Sequence, residues 1–285
     1  NIDDGSCEYS CYDNDNYSLS FDGIDDYVEL NKGLNGTYDN FTFNIQTRVN
    51  SDSGYPTLFY FGDEEGGENP YTRTIDLSID GYNFNPPYLR TNLNYDYGKV
   101  GTQNFPIDSL INISTVFNGA TQTLSFYLEG DLIEEVGVPV NQIKFNSSDI
   151  FNIGAGRNSS NYYSGDIINI TLWQDALSID QINNLEDNNE NLIAHWKFNQ
   201  GPDGDYPNTL IDHSGNQNHG TIHGADWIEN VYGCIDELAC NYNESADIAD
   251  DSCEYAEDFG WCNCDEGLPD QCGVCNGSNE CLSNS

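Results

Sequence analysis

Phe41-Thr42-Phe43-Asn44-Ile45-Gln46 alternates apolar and polar side chains at every step. In an extended strand successive side chains point to opposite faces, so this stretch predicts one buried face and one wet face. Working outward, further short runs rich in Val, Ile, Tyr, Phe and Thr recur along the chain. They are Tyr17–Phe21, Tyr27–Leu30, Thr57–Phe61, Thr74–Ile79, Ile111–Phe117, Thr123–Leu128, Phe151–Ile153 and Ile167–Trp173, and Phe41–Val49 extends the opening stretch. Clusters of Gly, Asn, Asp and Pro separate them, the pattern of an all-β sandwich. One helix is expected over Ser178–Asp187: Ser178 and Gln181 form a capping-box signature, and Ile179, Ile182 and Leu185 supply an apolar stripe. It is expected to plug an edge or an end of the sandwich.

Composition narrows what such a chain can do. Apolar residues make up 37% of the 285, and 13% are aromatic, which is enough for a sizeable core. No stretch approaches the roughly 18 consecutive apolar residues of a membrane-spanning helix. Eight basic against 48 acidic residues leave a net charge of −40. That charge repels nucleic-acid phosphates and anionic membrane surfaces. It suits divalent cations, or simple solubility in salty water. The chain opens on Asn1 and has no methionine, so it reads as a processed product or a piece of something longer.

The cysteines mark the ends. Cys7 and Cys11 lie at one, and Cys234, Cys240, Cys253, Cys262, Cys264, Cys272, Cys275 and Cys281 at the other. An even count in acidic, small-residue sequence points to disulfides formed in an oxidising compartment, hence to an extracellular or cell-surface protein. Zinc competes at Cys262-x-Cys264 and Cys272-x-x-Cys275, though no basic residues nearby would offset the thiolates. Connectivity stays open. The chain therefore divides into a connector over 1–16, a sandwich over 17–232 and a disulfide-stapled module over 233–285. Ile2–Tyr9 matches Ile248–Tyr255 at six of eight positions, offset by 246, as one period of a head-to-tail array would.

Ser18-Leu19-Ser20-Phe21-Asp22-Gly23-Ile24-Asp25-Asp26-Tyr27-Val28 resembles the opening strand pair of laminin-G-like, concanavalin-A-like jelly-roll domains of secreted bacterial proteins. Phe41–Asn50, Ile111–Ile133 and Gly165-Asp166-Ile167-Ile168 followed by Trp173 and Leu177-Ser178 resemble later elements of that family, in its order. Leu192–Asn199 and Asp212-His213-Ser214-Gly215-Asn216-Gln217-Asn218-His219-Gly220 resemble its closing strand and turn. The family's usual histidine pair before the central strands is replaced by Asp108–Asn112. The resemblance, over roughly 17–229, implies an antiparallel jelly-roll and a role in adhesion, glycan binding or display rather than catalysis. Cys234–Tyr255 and Cys272–Gly277 similarly resemble connector repeats of large cell-surface proteins.

Related jelly-roll glycanases carry carboxylates at alternate positions of one strand. Neither a Glu-x-Asp-x-Glu nor a similar triplet is found within a strand, and nucleophile-elbow, Walker and dinucleotide motifs are absent. His213, His219 and His223 have a spacing that suits neither a helix face nor a strand face, and are read as structural.

Asp22, Asp25 and Asp26 gather oxygen donors in a tight Gly-containing turn, which a structural calcium ion could use. Since the family's first and last strands are neighbours, Asn216 and Asn218 could join them. Plain Asx turns explain the same residues. Asp13-Asn14-Asp15-Asn16 is a weaker second candidate. Tyr82, Phe84, Tyr88, Tyr95 and Tyr97 form the aromatic cluster with most promise for stacking on sugars, against core packing as the alternative. Asn-x-Ser/Thr sequons occur at Asn16, Asn35, Asn40, Asn112, Asn146, Asn158, Asn169, Asn243 and Asn276. Two functions follow as expectations. The first is a non-catalytic building block that self-associates head to tail into a filament or giant adhesin. The second is a calcium-dependent carbohydrate-binding module.

Overall fold

The computed structural model describes residues 17–63, 74–93, 98–157, 160–185, 190–202, 207–264, 269 and 275. Its first strands are β1 (Tyr17–Asp22), β2 (Tyr27–Leu30), β3 (Gly36–Tyr38), β4 (Asn40–Val49), β5 (Thr57–Gly62), β6 (Ile75–Asp80) and β7 (Tyr88–Leu93). There follow β8 (Gly98–Thr102), β9 (Leu110–Asn118), β10 (Thr123–Leu128), β11 (Asp131–Gly137), β12 (Ile143–Phe145), β13 (Ile150–Ile153) and β14 (Ser164–Trp173). After the helix α1 (Ile179–Ile182) come β15 (Leu192–Trp196), β16 (Thr209–Leu210), β17 (Gly220–His223) and β18 (Asp226–Glu229). One sheet runs β11-β10-β9-β4-β14-β1-β18, with β15 also on β14; the other runs β16-β17-β2-β13-β5-β6-β7-β8. This is the expected antiparallel jelly-roll β-sandwich.

Alternation builds the core between the sheets. Phe41, Phe43 and Ile45 of β4 face Phe59 and Phe61 of β5, all at most 1% exposed, with the Phe43 and Phe59 ring centroids 3.8 Å apart. Phe145 and Phe151 complete an edge-on aromatic cluster with Phe61. Each such side chain contributes about 1.5–3 kcal/mol through burial. At the seam between the sheets, Glu134 of β11 accepts hydrogen bonds from the Tyr88 hydroxyl (2.9 Å) and the Gly101 amide (3.0 Å).

Two expectations need correction. The polar face of β4 is not wet: Thr42 and Asn44 are at most 1% exposed. Thr42 Oγ1 donates to the Asp175 carbonyl (2.6 Å) and accepts from the Leu177 amide (3.1 Å), so the chain after β14 folds over it. The helix is also shorter than expected. The capping box forms, but α1 stops at Ile182, where Asn183 takes the cap and Asn184 turns its amide back onto the Asp180 carbonyl. Asn is a weak helix former because its side chain competes for backbone groups. Rather than plugging an edge or end, Ile182 packs with Val116, Tyr127, Trp173 and Leu177 as a second apolar cluster on the outer face of β9, β10 and β14.

The chain divides into two compact units, one ending at Ile228 and the other starting at Glu229, four residues before the expected change at Gly233. In the second unit β19 (Tyr232–Gly233) and β20 (Ile248–Ala249) pair in parallel. Disulfides join Cys234 to Cys253, Cys240 to Cys264 and Cys262 to Cys275. They take up Cys262, Cys264 and Cys275, which corrects the zinc reading of those positions. Tyr255 donates to Asp236 Oδ2 at 2.7 Å, a further clasp between the two halves of this module. Cys7, Cys11, Cys272 and Cys281, together with Asp13–Asn16, lie outside the described residues. Among the described residues no helix is long and apolar enough to cross a membrane.

Candidate functional site

The strand registers place polar side chains in a row across the outer face of the second sheet. Asn152 pairs with Tyr60, Tyr60 with Asp76, Asp76 with Asn92, and Asn92 with Lys99. A second row sets Ser78 beside Arg90 and Gly101. Each comes from a strand whose alternate residues are core: Ile75, Leu77 and Ile79 on β6, and Leu89 and Leu93 on β7. Burying one face forces its neighbours onto the other.

Of these rows, Tyr60, Asp76, Ser78, Arg90 and Asn92 floor a cleft of about 180 Å³ that Tyr55, Arg157 and Asn161 help to wall. Its rim is anchored. Asp80 Oδ1 accepts the Asn83 amide (2.9 Å), and Oδ2 accepts Asn83 Nδ2 (3.0 Å) and Arg90 Nη1 (2.9 Å). Asn83 Nδ2 also donates to the Tyr55 hydroxyl. Gly81 makes the rim possible, because a Cβ there would meet the Asp52 carbonyl oxygen at 2.4 Å. Tyr82, 76% exposed, stands on this rim with its ring 5.0 Å from that of Tyr55.

Inside the cleft the polar groups are mostly committed. Asp76 Oδ2 accepts from Ser78 Oγ (2.9 Å) and Asn92 Nδ2 (2.8 Å), and Asn92 Nδ2 also reaches Ser78 Oγ (3.2 Å). Burial pushes the Asp76 carboxyl above the usual carboxylate range despite those bonds. Burial pushes Asp80 the same way, but the Asn83 hydrogen bonds and the Arg90 guanidinium outweigh it and hold its carboxyl below that range. Among the described residues, two buried side-chain atoms of the cleft-lining residues lack a hydrogen-bond partner: Arg90 Nε, a donor, and Asn92 Oδ1, an acceptor. These residues stand two apart on β7. A buried polar atom left unpaired costs about 1–3 kcal/mol.

The residues expected from sequence fall in several places. Asp22, Asp25 and Asp26 do gather, with one carboxylate oxygen from each within 4.8 Å. Asp22 Oδ1 accepts the Ile24 amide (2.7 Å), the bond of an Asx turn, and Asp26 Oδ2 reaches back to accept the Asp22 amide (2.8 Å). Burial and the neighbouring Asp22 and Asp25 charges raise the Asp26 carboxyl against the opposing pull of the Asp22 amide.

Asn216 and Asn218 do not join them, which corrects the five-residue set. β17 runs antiparallel to β2 with Gly220 opposite Leu30 and His223 opposite Tyr27. The Asp212–Gly220 turn therefore sits at the far end of β2 from the aspartates, about 10 Å of strand away. Its amides are used locally: Asn216 Nδ2 donates to the Leu192 carbonyl (2.9 Å) and Asn218 Nδ2 to that of Ile193 (2.8 Å). His219 Nδ1 in the same turn accepts the Asp212 amide at 3.0 Å, and burial lowers its pKa.

Of the aromatic cluster's described rings, Tyr82 and Phe84 are exposed, Tyr82 far more so. Tyr88 packs on Phe84, and burial with the Glu134 carboxylate pushes its phenol up to about 12. Tyr95 and Tyr97 lie outside the described residues, as do sequons Asn16, Asn158 and Asn276. Asn35 is exposed, whereas Asn40, Asn112, Asn146, Asn169 and Asn243 are half-buried. Asn112 Oδ1 accepts from Asn44 Nδ2 (2.5 Å), and Asn169 Oδ1 bonds His195 Nε2 (2.9 Å).

Sequence reading missed Asp76, Ser78, Arg90 and Asn92. Their signal was the alternation Ile75-Asp76-Leu77-Ser78-Ile79-Asp80, which also sets two carboxylates on one strand face. The pair does not have glycosidase geometry. β6 runs against β7 in unbroken register from Ile75 to Asp80, so residues four apart stand about 13 Å apart along the strand. Glycosidase carboxylates lie about 5–9.5 Å apart. Asp80 is moreover fully buried behind Arg90.

A solved protein from Bacteroides ovatus, named for carbohydrate binding, superposes with a TM-score of 0.59 at 16% identity, over 75% of this chain and 60% of its own. The chain thus spans three-fifths of that protein's length. The extracellular region of zebrafish Gpr126/Adgrg6 gives 0.53 at 14% identity, over 80% of this chain and 28% of its own. A pentraxin of Limulus polyphemus gives 0.47 at 12%, over 60% of this chain and 82% of its own. The likenesses to the Bacteroides ovatus and zebrafish proteins speak to fold alone. No curated protein matches the chain in sequence. Residues 22–183 match the laminin-G-type model of one family, and the chain belongs to that family, the concanavalin A-like lectin/glucanases superfamily.

Proposed function

We propose that the protein is a non-catalytic carbohydrate-binding module acting outside the cell, with its sugar site in the cleft over β5, β6 and β7. The observation that carries this reading is the cleft itself, lined by Ser78, Arg90 and Asn92 beside the Tyr55 ring, with the exposed Tyr82 ring 5.0 Å from Tyr55. Sugar sites combine a few fixed polar groups with an aromatic face. The solved Bacteroides ovatus protein named for carbohydrate binding supports the reading through its fold. The three disulfides support an oxidising compartment. Head-to-tail assembly draws on residues 2–9, which lie outside the described residues, and the cleft favours glycan binding instead.

The test is a glycan array with pull-down on polysaccharides, run on wild type and Arg90→Lys. Lysine keeps the charge for Asp80 but removes the planar guanidinium that lines the cleft. Saturable binding by wild type, weakened about tenfold in the variant at an unchanged melting temperature, supports the proposal. Absence of binding to any glycan, or equal binding by the variant, contradicts it. Release of reducing ends from a bound glycan would contradict the non-catalytic part.

The calcium dependence belongs to the Asp22, Asp25 and Asp26 trio, where a dication would offset the burial and the neighbouring charges that together raise Asp26. Its role there is structural. Melting is expected to shift upward with calcium and back with chelator, and identical melts with and without calcium would remove the ion from the account.

A further inference from the structure

We infer that Ile2–Tyr9 is the closing half of a second cysteine-stapled module, made to bind an opening half of the Gly233–Tyr242 type. This interface stands apart from glycan binding, and neither depends on the other. In the unit that starts at Glu229 both halves are seen: Gly233–Tyr242 opens it and Ile248–Tyr255 closes it. Ile248, 7% exposed, lies opposite Tyr232 in the parallel pair of β19 and β20. Asp250 Oδ1 accepts the Ser252 amide at 3.0 Å, in the turn that leads Cys253 to its disulfide with Cys234. Asn241 spans the halves, donating to the Ser252 carbonyl (2.5 Å) and accepting the Glu254 amide (2.8 Å). The Cys240 amide donates to the Glu254 carbonyl at 2.7 Å. Tyr255 ends the closing half by donating to Asp236 Oδ2 at 2.7 Å.

Ile2–Tyr9 lies outside the described residues, and its counterparts carry these roles. The six identities are Ile2, Asp4, Ser6, Cys7, Glu8 and Tyr9, at the positions of Ile248, Asp250, Ser252, Cys253, Glu254 and Tyr255. The buried isoleucine, the cysteine and the tyrosine that join the opening half are all among them. The two differences fall elsewhere. Ala249, exposed, has Asp3 in its place. Asp251 has a φ of 59°, a left-handed backbone that glycine adopts without strain, and the N-terminal copy has Gly5 there. Cys11 follows Cys7 by four positions where Cys264 follows Cys253 by eleven, so only the Cys234–Cys253 type of link carries over. Within the 285 residues the Gly-Cys…Ala-Cys-Asn-Tyr pattern occurs once, at Gly233–Tyr242. Two closing halves thus share one opening half, which Cys253 already occupies. Ile2–Tyr9 therefore fits another opening half, on the same polypeptide or on a second copy.

Joining takes a disulfide between Cys7 and the counterpart of Cys234. The two thiols give up two protons and two electrons to a disulfide oxidant such as oxidised glutathione, which leaves as two thiols. The test places a copy of Gly233–Ala246 directly before Asn1 of the full chain, so that Asn1 takes the place of Asp247 and Ile2 that of Ile248. The fused chain is equilibrated in a buffer of reduced and oxidised glutathione, and its disulfides are mapped by mass spectrometry. We expect the first added cysteine to join Cys7 while Cys234 keeps Cys253. Ile2→Asp with Tyr9→Ala, which retains Cys7, should lower that link by about tenfold or more. An added cysteine spread evenly over Cys7, Cys11, Cys272 and Cys281 overturns the inference, and so does a link indifferent to the double substitution. A second arm finds the source of the opening half. Nitrogen-15-labelled chain carrying Ile248→Asp and Cys253→Ser is mixed with unlabelled wild type in the same buffer. Cross-chain peptides joining Cys7 to Cys234 place the partner on a second copy, whereas their absence beside a closed fused chain places it on the same polypeptide.

Discussion

At the scale of single residues, the cleft is assembled from side chains whose partners are fixed before any ligand arrives. Asp80 ties Arg90 to the rim through Asn83, and its carboxyl is held below the ordinary range. A carboxyl depressed on folding stabilises the fold above its unfolded value, about 3.9, and that gain is lost as pH falls through the lower folded value. Acid unfolding of wild type is therefore expected to steepen below about pH 4, and Asp80→Asn should flatten that segment of a stability-versus-pH curve. Identical curves would show that Asp80 is not the anchor described. Tyr82 makes the second claim at this scale. Its ring is exposed on the rim, so Tyr82→Ala should leave melting unchanged and weaken glycan binding about two- to tenfold. An unchanged dissociation constant by calorimetry would remove Tyr82 from the site.

Elements explain why some of this was legible in the sequence and some was not. Period-two alternation reports which face a strand buries, so β1, β2, β4, β5, β9, β10, β13 and β14 could be read from it within a few residues of their ends. Which strands become neighbours is a matter of pairing. Asp76 and Asn92 meet only because β6 and β7 lie side by side, and Asn216 looked available to Asp22 only while the direction of β17 was unknown. The helix was over-extended because its apolar stripe runs past Asn183 and Asn184, where side-chain amides compete for the backbone. The closing turn shows how much one residue can organise. Asp212 accepts the His195 and Ser214 amides at 2.9 Å through Oδ1, and Ser214 Oγ and the Asn218 amide through Oδ2. It is 5% exposed, so Asp212→Ala strands buried donors and should cost about 3 kcal/mol or more. Denaturant unfolding measures this directly, and a loss under about 1 kcal/mol would mean the turn is held by other contacts.

For the whole molecule, the two units are held together by different physics. The sandwich relies on its apolar core. The second unit relies on cross-links, as small modules with little core do. Cys234 and Cys253 are 19 residues apart, and closing a loop of that size is worth about 3 kcal/mol. Replacing both by serine should release the unit beginning at Glu229 to proteolysis while the sandwich keeps its melting transition. Simultaneous loss of both would show that the units do not fold independently. Cysteine position and number made this division visible in sequence, because disulfide-forming residues cluster where a core is missing. The glycan site was hidden for the opposite reason: its polar residues are scattered over several strands and no motif joins them.

The central claim is that sugar binds on the outer face of β6 and β7. Backbone-amide NMR shifts, followed while titrating the best glycan from the array, test it most directly. The account predicts that the largest perturbations fall on Asp76–Asp80, Gly81–Asn83 and Arg90–Asn92. Perturbations confined to Asp22–Asp26, or to the unit that begins at Glu229, would contradict it.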